Sequence, residues 1–303
     1  MVPRSVPVWI AVGLLAVLTS GCGSKSPTSP ASTAPPGDQA QVTTTLTSAG
    51  SLVDDDLEES SIHSPANALQ PGGPAELASA IVPYTWWQNV TAVTRSWSFA
   101  FSDTDGTGHP LVCLATLTKH VTGSLVIVPL VDSLSTLTKP LDKTLTRIVR
   151  LERLALNGDR AWKVVDVTGA FVTTLAPYNT THIVSVHLVA TGVDTTLTTP
   201  LQFFSLKHVI RFAASDTVRL TVTTGGTADP VFIHLNGVYR WRLRNNLDGT
   251  YSTHWVTSAW GGWRHMGIQV MTRSSIYDDT APFDTQAWHF PFRVTQGDVD
   301  YYP

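Results

Sequence analysis

From residue 95 onward the chain alternates between apolar and polar positions. In 95–101, Trp97, Phe99 and Phe101 share one parity, and Ser96, Ser98 and Ala100 the other. That period of two marks a half-buried strand. Segments 111–118 and 123–128 read as buried strands. Segment 144–156 is long and mixed, with Arg147, Arg150 and Arg153 interrupting Leu and Ile; it fits a strand pair or part of a helix, and strand is the preferred reading. The turn signal Asn157-Gly158-Asp159 leads into 162–168 and 170–175, a hairpin expected to close near Gly169, and then into a strand over 182–190.

The alternation sharpens after residue 198. Val218, Leu220 and Val222 alternate with Arg219 and Thr221, and Val231, Ile233 and Leu235 alternate with Phe232 and His234. Tyr239, Trp241 and Leu243 alternate with Arg240, Arg242 and Arg244, so the tryptophan is expected to face inward and the arginines solvent. Asp248-Gly249 is a hairpin signal. Strands over 251–257, 265–272 and 287–294 follow, and Pro291 marks an edge strand or an unpaired position in the last of them. One helix is expected, over 74–87, with Pro74 in its first turn and Pro83 ending or kinking it.

The N-terminus follows a different pattern. Arg4 precedes an apolar run over 8–18, then Thr19, Ser20, Gly21 and Cys22. The run has the length of a signal core and is too short to span a bilayer. Residues 23–41 are rich in Ser, Pro, Thr and Ala, and an acidic run follows at Asp54, Asp55, Asp56, Glu58 and Glu59. With so few apolar residues, 22–73 is expected to be a disordered, solvated tether.

Composition agrees with a β protein. Thr, Val, Leu and aromatics dominate, and after Glu76 the only glutamate is Glu152. The net charge is −3, of which the acidic run supplies −5, so the remainder is close to neutral and carries no basic footprint for nucleic acid. With two cysteines, Cys22 and Cys113, lipidation of the first leaves no intramolecular disulfide. The fold class expected is all-β and mainly antiparallel. Residues 1–21 would be the signal and 22–73 the tether. Residues 74–197 would form an α+β or β-sandwich or barrel domain, and 198–303 a second β-sandwich.

Three resemblances refine this. The run ending Thr19-Ser20-Gly21-Cys22 resembles the bacterial lipoprotein signal, although Thr19 stands where that family usually has leucine. The resemblance implies cleavage before Cys22, a diacylglycerol on its sulfur, and a cell-envelope location on the outer membrane or cell surface. A helix, a strand meander and then LERLALNGDRAWKVVDVTG resemble the NTF2-like cone, which implies a pocket behind Trp97 and Phe99; a plain sandwich or barrel fits the same residues. The segment DGTYSTHW…GGWRHMGIQV resembles bacterial Ig-like domains, and it departs from antibody domains in having no cysteine pair.

Candidate chemistry is sparse. Asp103-Thr-Asp105-Gly-Thr-Gly has the alternate oxygens of a calcium loop, but Leu114 sits at the twelfth position, where a carboxylate belongs, and a polar turn explains the same residues. The ten histidines form no zinc motif, and Cys113 lies in the apolar run LVCLATL. Trp255, Trp260 and Trp263, around Gly261-Gly262, could form a sugar-binding platform or cap the sandwich core. Asp278, Asp279 and Asp284 could pair with the arginine ladder or with Arg264. No cofactor and no catalytic constellation is expected. The expected partners are the membrane, through the lipid, and an envelope protein or a glycan. The function expected is that of a non-catalytic structural or partner-binding module; the alternative is a binder of a carbohydrate or small hydrophobic ligand.

Overall fold

The computed structural model describes residues 36–59, 81–130, 135–156, 159–235 and 239–296. It is mainly antiparallel β. Four long strands open it as a meander: β1 (Pro83–Thr104), β2 (Pro110–Pro129), β3 (Leu137–Leu156) and β4 (Asp159–Thr174). Shorter strands follow: β5 (Ile183–Ala190), β6 (Val193–Leu197), β7 (Phe203–Ser205), β8 (Ile210–Ala213), β9 (Thr217–Thr224) and β10 (Val231–Leu235). The last are β11 (Tyr239–Arg242), β12 (Arg244–Asn245), β13 (Thr250–Val256), β14 (Gly262–Met271) and β15 (Thr285–Thr295).

A ten-stranded sheet runs β1-β2-β3-β4-β15-β14-β10-β11, with β7 on β4 and β8 on β15; a five-stranded sheet runs β12-β13-β9-β5-β6. The expected division at 197/198 does not coincide with a break in the sheet: β4 pairs with β15 through His289↔Ala170. Both halves of the sequence therefore build one large sheet, and residues 31–303 form a single compact unit.

The outer face of β15, β14 and β10 packs on the five-stranded sheet. Val186, Leu188, Leu220, Val222 and Trp255 of the smaller sheet meet Ile268, Trp288, Phe290, Phe292 and Ile233 of the larger. Edge-on ring contacts join Phe212 to Trp255 at 6.3 Å and to Phe292 at 5.4 Å. The alternation after residue 198 is the pattern of strands that bury this face.

Several expected elements differ. Residues 83–87 are strand, not helix, because aromatic and β-branched residues continue the period of two through Trp86, Gln88 and Val90. β4 continues through Gly169 with a bulge against β3, where a hairpin was expected. A Cβ there would run into the carbonyls of His289 and Pro200, so this glycine serves close approach rather than a turn. Of the two positions expected for Pro291, an edge strand or an unpaired position, the second is found, since β15 is an interior strand. On one side of β15, β4 pairs as far as His289 and β8 begins at Phe292, and the missing N–H falls in the gap between them.

The largest correction concerns the tether. Helix α1 (Pro36–Ala49) and a 3-10 turn, Gly50–Leu52, precede the acidic run, and Val42, Leu46 and Val53 are buried against Val149, Leu151 and Trp162. The helix is rich in threonine, a weak helix former. Thr43, Thr44, Thr45, Thr47 and Ser48 each donate the hydroxyl to the carbonyl four residues back, which satisfies the side chains without leaving the helix. The rest of 22–73 and the N-terminal part of the expected helix lie outside the described residues.

A chain beginning at residue 36 should melt cooperatively, close to the full-length protein. A chain beginning at residue 60 should lose its cooperative transition in thermal circular dichroism. Equal melting of the two would show that the segment 36–59 contributes nothing to the fold.

Candidate functional site

The inner face of the large sheet is built by odd-numbered residues of β3. Leu137, Lys139, Leu141, Lys143, Leu145, Arg147, Val149, Leu151 and Arg153 all point there, so that from Lys139 to Arg147 a cation recurs every fourth residue between apolar neighbours. Lys119 joins them from β2, and His289 from β15. Lys119, Lys143, Arg147 and His289 are each no more than 1% exposed. Buried charges need counter-charges within contact distance, and the acidic run supplies them.

Asp55 accepts from Arg147 Nη2 at 2.5 Å and faces His289 Nδ1 at 3.1 Å. Glu58 pairs with Lys143 and meets His289 Nε2 at 2.9 Å. Lys119 pairs with Asp54 and with Glu59 at 2.7 Å, and Arg95 closes the rim with the same two acids. Only Asp56 of the five acids is exposed. Lys139 stands apart from the acids. It donates to the carbonyls of Ser275 at 2.8 Å and Asp278 at 2.5 Å, and so caps the short helix α2 (Arg273–Tyr277).

This geometry sets the protonation states. Burial pushes the Asp55 carboxyl up, but Arg147 and His289 more than offset it and hold it well below the usual range. Burial acts the same way on Glu58, and Lys143 and His289 pull it well below normal. Burial alone would lower His289; the two carboxylates raise it. His265 is pushed down to about 4, chiefly by burial. His234 is held well below normal by burial and by Arg240.

The second feature is a groove of about 480 Å³ between β3, β4, the turn after β7, and β14. Leu52, Leu154, Val164, Leu206 and Trp263 give it an apolar lining. Lys163 and Lys207 stand exposed at its rim, and neither ammonium has an ion-pair partner among the described residues. Arg150 is neutralised there by Glu152 at 2.5 Å and Asp166 at 2.7 Å. A cleft of about 550 Å³ near Asp229 and Arg273 is lined by polar groups and offers little apolar burial.

The three tryptophans singled out by the sequence do not come together as a platform. Trp255 is 7% exposed inside the sandwich, Trp263 lines the groove, and Trp260 is 75% exposed on the loop between them. Trp97 and Phe99 pack under α1, where a cone-shaped pocket was expected. Asp105 accepts from Thr107 N, Thr107 Oγ1 and His109 N, which closes a polar turn directly after β1, in whose last residues Asp103 stands at positive φ. The described residues hold no group of three metal-ligating side chains. Cys113 is fully buried, and burial pushes its thiol up to about 12, away from nucleophilic use. Cys22 lies outside the described residues.

The arginine ladder was expected in solvent. Arg240 is instead 2% exposed and Arg242 is half-buried with its Nη1 donating to Tyr277 Oη at 3.1 Å, while Arg244 is exposed. Trp241 does pack against the sandwich core as its parity implies. The inference failed on the opposite face, which is covered rather than solvated. Asp284 binds Thr180 N at 3.0 Å and Asp278 caps Thr280 N at 2.8 Å, and neither pairs with the ladder.

Stability should peak close to the ordinary histidine range. Above it, His289 loses the proton that its raised pKa holds in the fold, so the stabilisation present below its unfolded value disappears as pH rises. Below it, His265 and His234 are kept neutral in the fold and gain protons on unfolding; further down, Asp55 and Glu58 lose the stabilisation present above their unfolded values. His289→Gln should flatten the alkaline side of a plot of melting temperature against pH, and it should also weaken the acid side, because His289 is one of the groups that hold Asp55 and Glu58 low. An unchanged alkaline slope would exclude His289 as its source.

The chain matches no family model, no curated protein and no solved structure.

Proposed function

We propose that the chain is a lipid-anchored protein of the bacterial cell envelope, and that its β unit is a non-catalytic binding module. The ligand class is amphipathic: an apolar body with an anionic end, held in the groove beside Trp263. The observation that carries this reading is the groove itself. Its volume of about 480 Å³ is of the size that encloses small ligands. Its lining would bury an apolar chain, and Lys163 and Lys207 would meet a carboxylate or phosphate at the rim. The lipoprotein-like signal ending at Cys22 supports the location. A cone-shaped pocket behind Trp97 and Phe99 is not part of the proposal, because α1 fills that side.

Laurate and dodecanol differ only at the head group and separate the two contributions. Trp263→Ala should weaken both, by tenfold or more, in a tryptophan-fluorescence titration. Lys163→Glu with Lys207→Glu should weaken laurate and spare dodecanol. No saturable binding, or equal binding by the Trp263 variant, would overturn the reading. For the anchor, Cys22→Ser should abolish lipid labelling and release the protein from the membrane fraction.

A further inference from the structure

The inner chamber holds more cations than its acids can match. Lys143, Arg147, Arg240 and His289 are buried there with Asp55 and Glu58. Asp55 is engaged by Arg147 and His289, and Glu58 by Lys143 and His289. Among the described residues, Arg240 forms no ion pair. Its Cζ lies 4.6 Å from the centre of the Trp86 ring, and its Nη2 reaches His234 Nδ1 at 3.5 Å. Its Nε and Nη1 are buried with no acceptor among the described residues.

The neighbours of Arg240 have the same deficit. Trp86 and Gln88 are two apart on one face of β1, and His234 is the register partner of Arg240. Gln88 Oε1 accepts from Lys143 Nζ at 2.5 Å, which fixes the amide so that Nε2 is a donor, and that Nε2 has no acceptor. Trp86 Nε1 has none either. Burial and Arg240 keep His234 neutral, and its Nδ1 accepts from Arg240, so the ring proton sits on Nε2, which is also without a partner. Every one of these atoms, unsatisfied among the described residues, is an N–H donor.

A native interior does not leave such groups unpaired, since each buried donor without an acceptor costs about 1–3 kcal/mol and an unpaired ion more. A water molecule would accept some of these bonds, but it brings hydrogens of its own and no charge. What the quartet lacks is an acceptor that donates nothing and carries negative charge. We propose that Trp86, Gln88, His234 and Arg240 form a buried site for one small monovalent anion of the halide class. Indole, amide, imidazole and guanidinium donors impose no common plane, which suits a spherical ion better than a planar carboxylate. This site is independent of the groove beside Trp263.

The test uses the full chain and sodium bromide as the probe, titrated against sodium gluconate at constant ionic strength. Above the dissociation constant, each tenfold rise in bromide should raise the melting temperature by a constant step of about 3 °C. Arg240→Met should lose that step while melting at or above the wild type in gluconate, because it removes an unpaired buried charge. A bromide-soaked crystal of the wild type should show an anomalous peak within hydrogen-bonding distance of Arg240. Superimposable bromide titrations of the two proteins would overturn the proposal. If Arg240→Met does not fold, the wild-type crystal decides: a well-ordered Arg240 with no anomalous peak beside it overturns the proposal.

Discussion

The cations on the inner face of β3 set the terms for the rest of the structure. A strand that buries Lys143 and Arg147 is stable only where carboxylates reach them, because a buried charge stripped of its partner destabilises by several kcal/mol. Those carboxylates come from residues 55 and 58, and the same two acids also bind His289, more than 230 positions along the chain. The N-terminal segment, the meander and the last strand are thus joined at one point. The helix before the acidic run follows from the same need: α1 fastens the segment to Trp162 and Val149, so that its acids meet the sheet in one register.

The two faces of the large sheet are held by different physics. The outer face is apolar and closes on the smaller sheet through Phe290, Phe292, Ile268 and Trp288, where area removed from water is the driving term. The inner face alternates leucine with cation. Ion pairs there add little net stability compared with an apolar filling of the same shape. They are, however, selective. A slip of the acidic segment by one turn of the pattern would set Asp55 or Glu58 against Leu141 or Leu145 and leave Lys143 or Arg147 unpaired. Alternating chemistry therefore fixes position in a way that a uniformly greasy face would not.

This division explains what was legible in the sequence. The all-β class could be read directly, because strands such as β9 and β10 bury an apolar parity on the outer face. The inner face could not be read by the same rule. Its buried parity carries Lys139, Lys143 and Arg147, which a hydrophobicity pattern assigns to solvent, and Arg240 was misplaced for that reason. A signal was present: cations at intervals of four on one strand face, matched by five acids clustered within residues 54–59. Each half looks like a solvated surface when taken alone. The threonine-rich composition of α1 hid the helix in the same way, because hydroxyl bonds to the preceding turn do not show in propensity. The tryptophans were found, but sequence proximity did not say that Trp255, Trp260 and Trp263 would divide among core, solvent and groove.

Folding of the segment from Pro36 also changes what a lipid at Cys22 would mean. Were all of 22–73 extended, a chain of about 50 residues could reach on the order of 170 Å. With α1 packed against the sheet, roughly 13 residues separate Cys22 from the first residue of the helix, a contour of about 45 Å at most. That is comparable to the thickness of a bilayer with its headgroups. On the lipoprotein reading the β unit is therefore held close to the membrane surface.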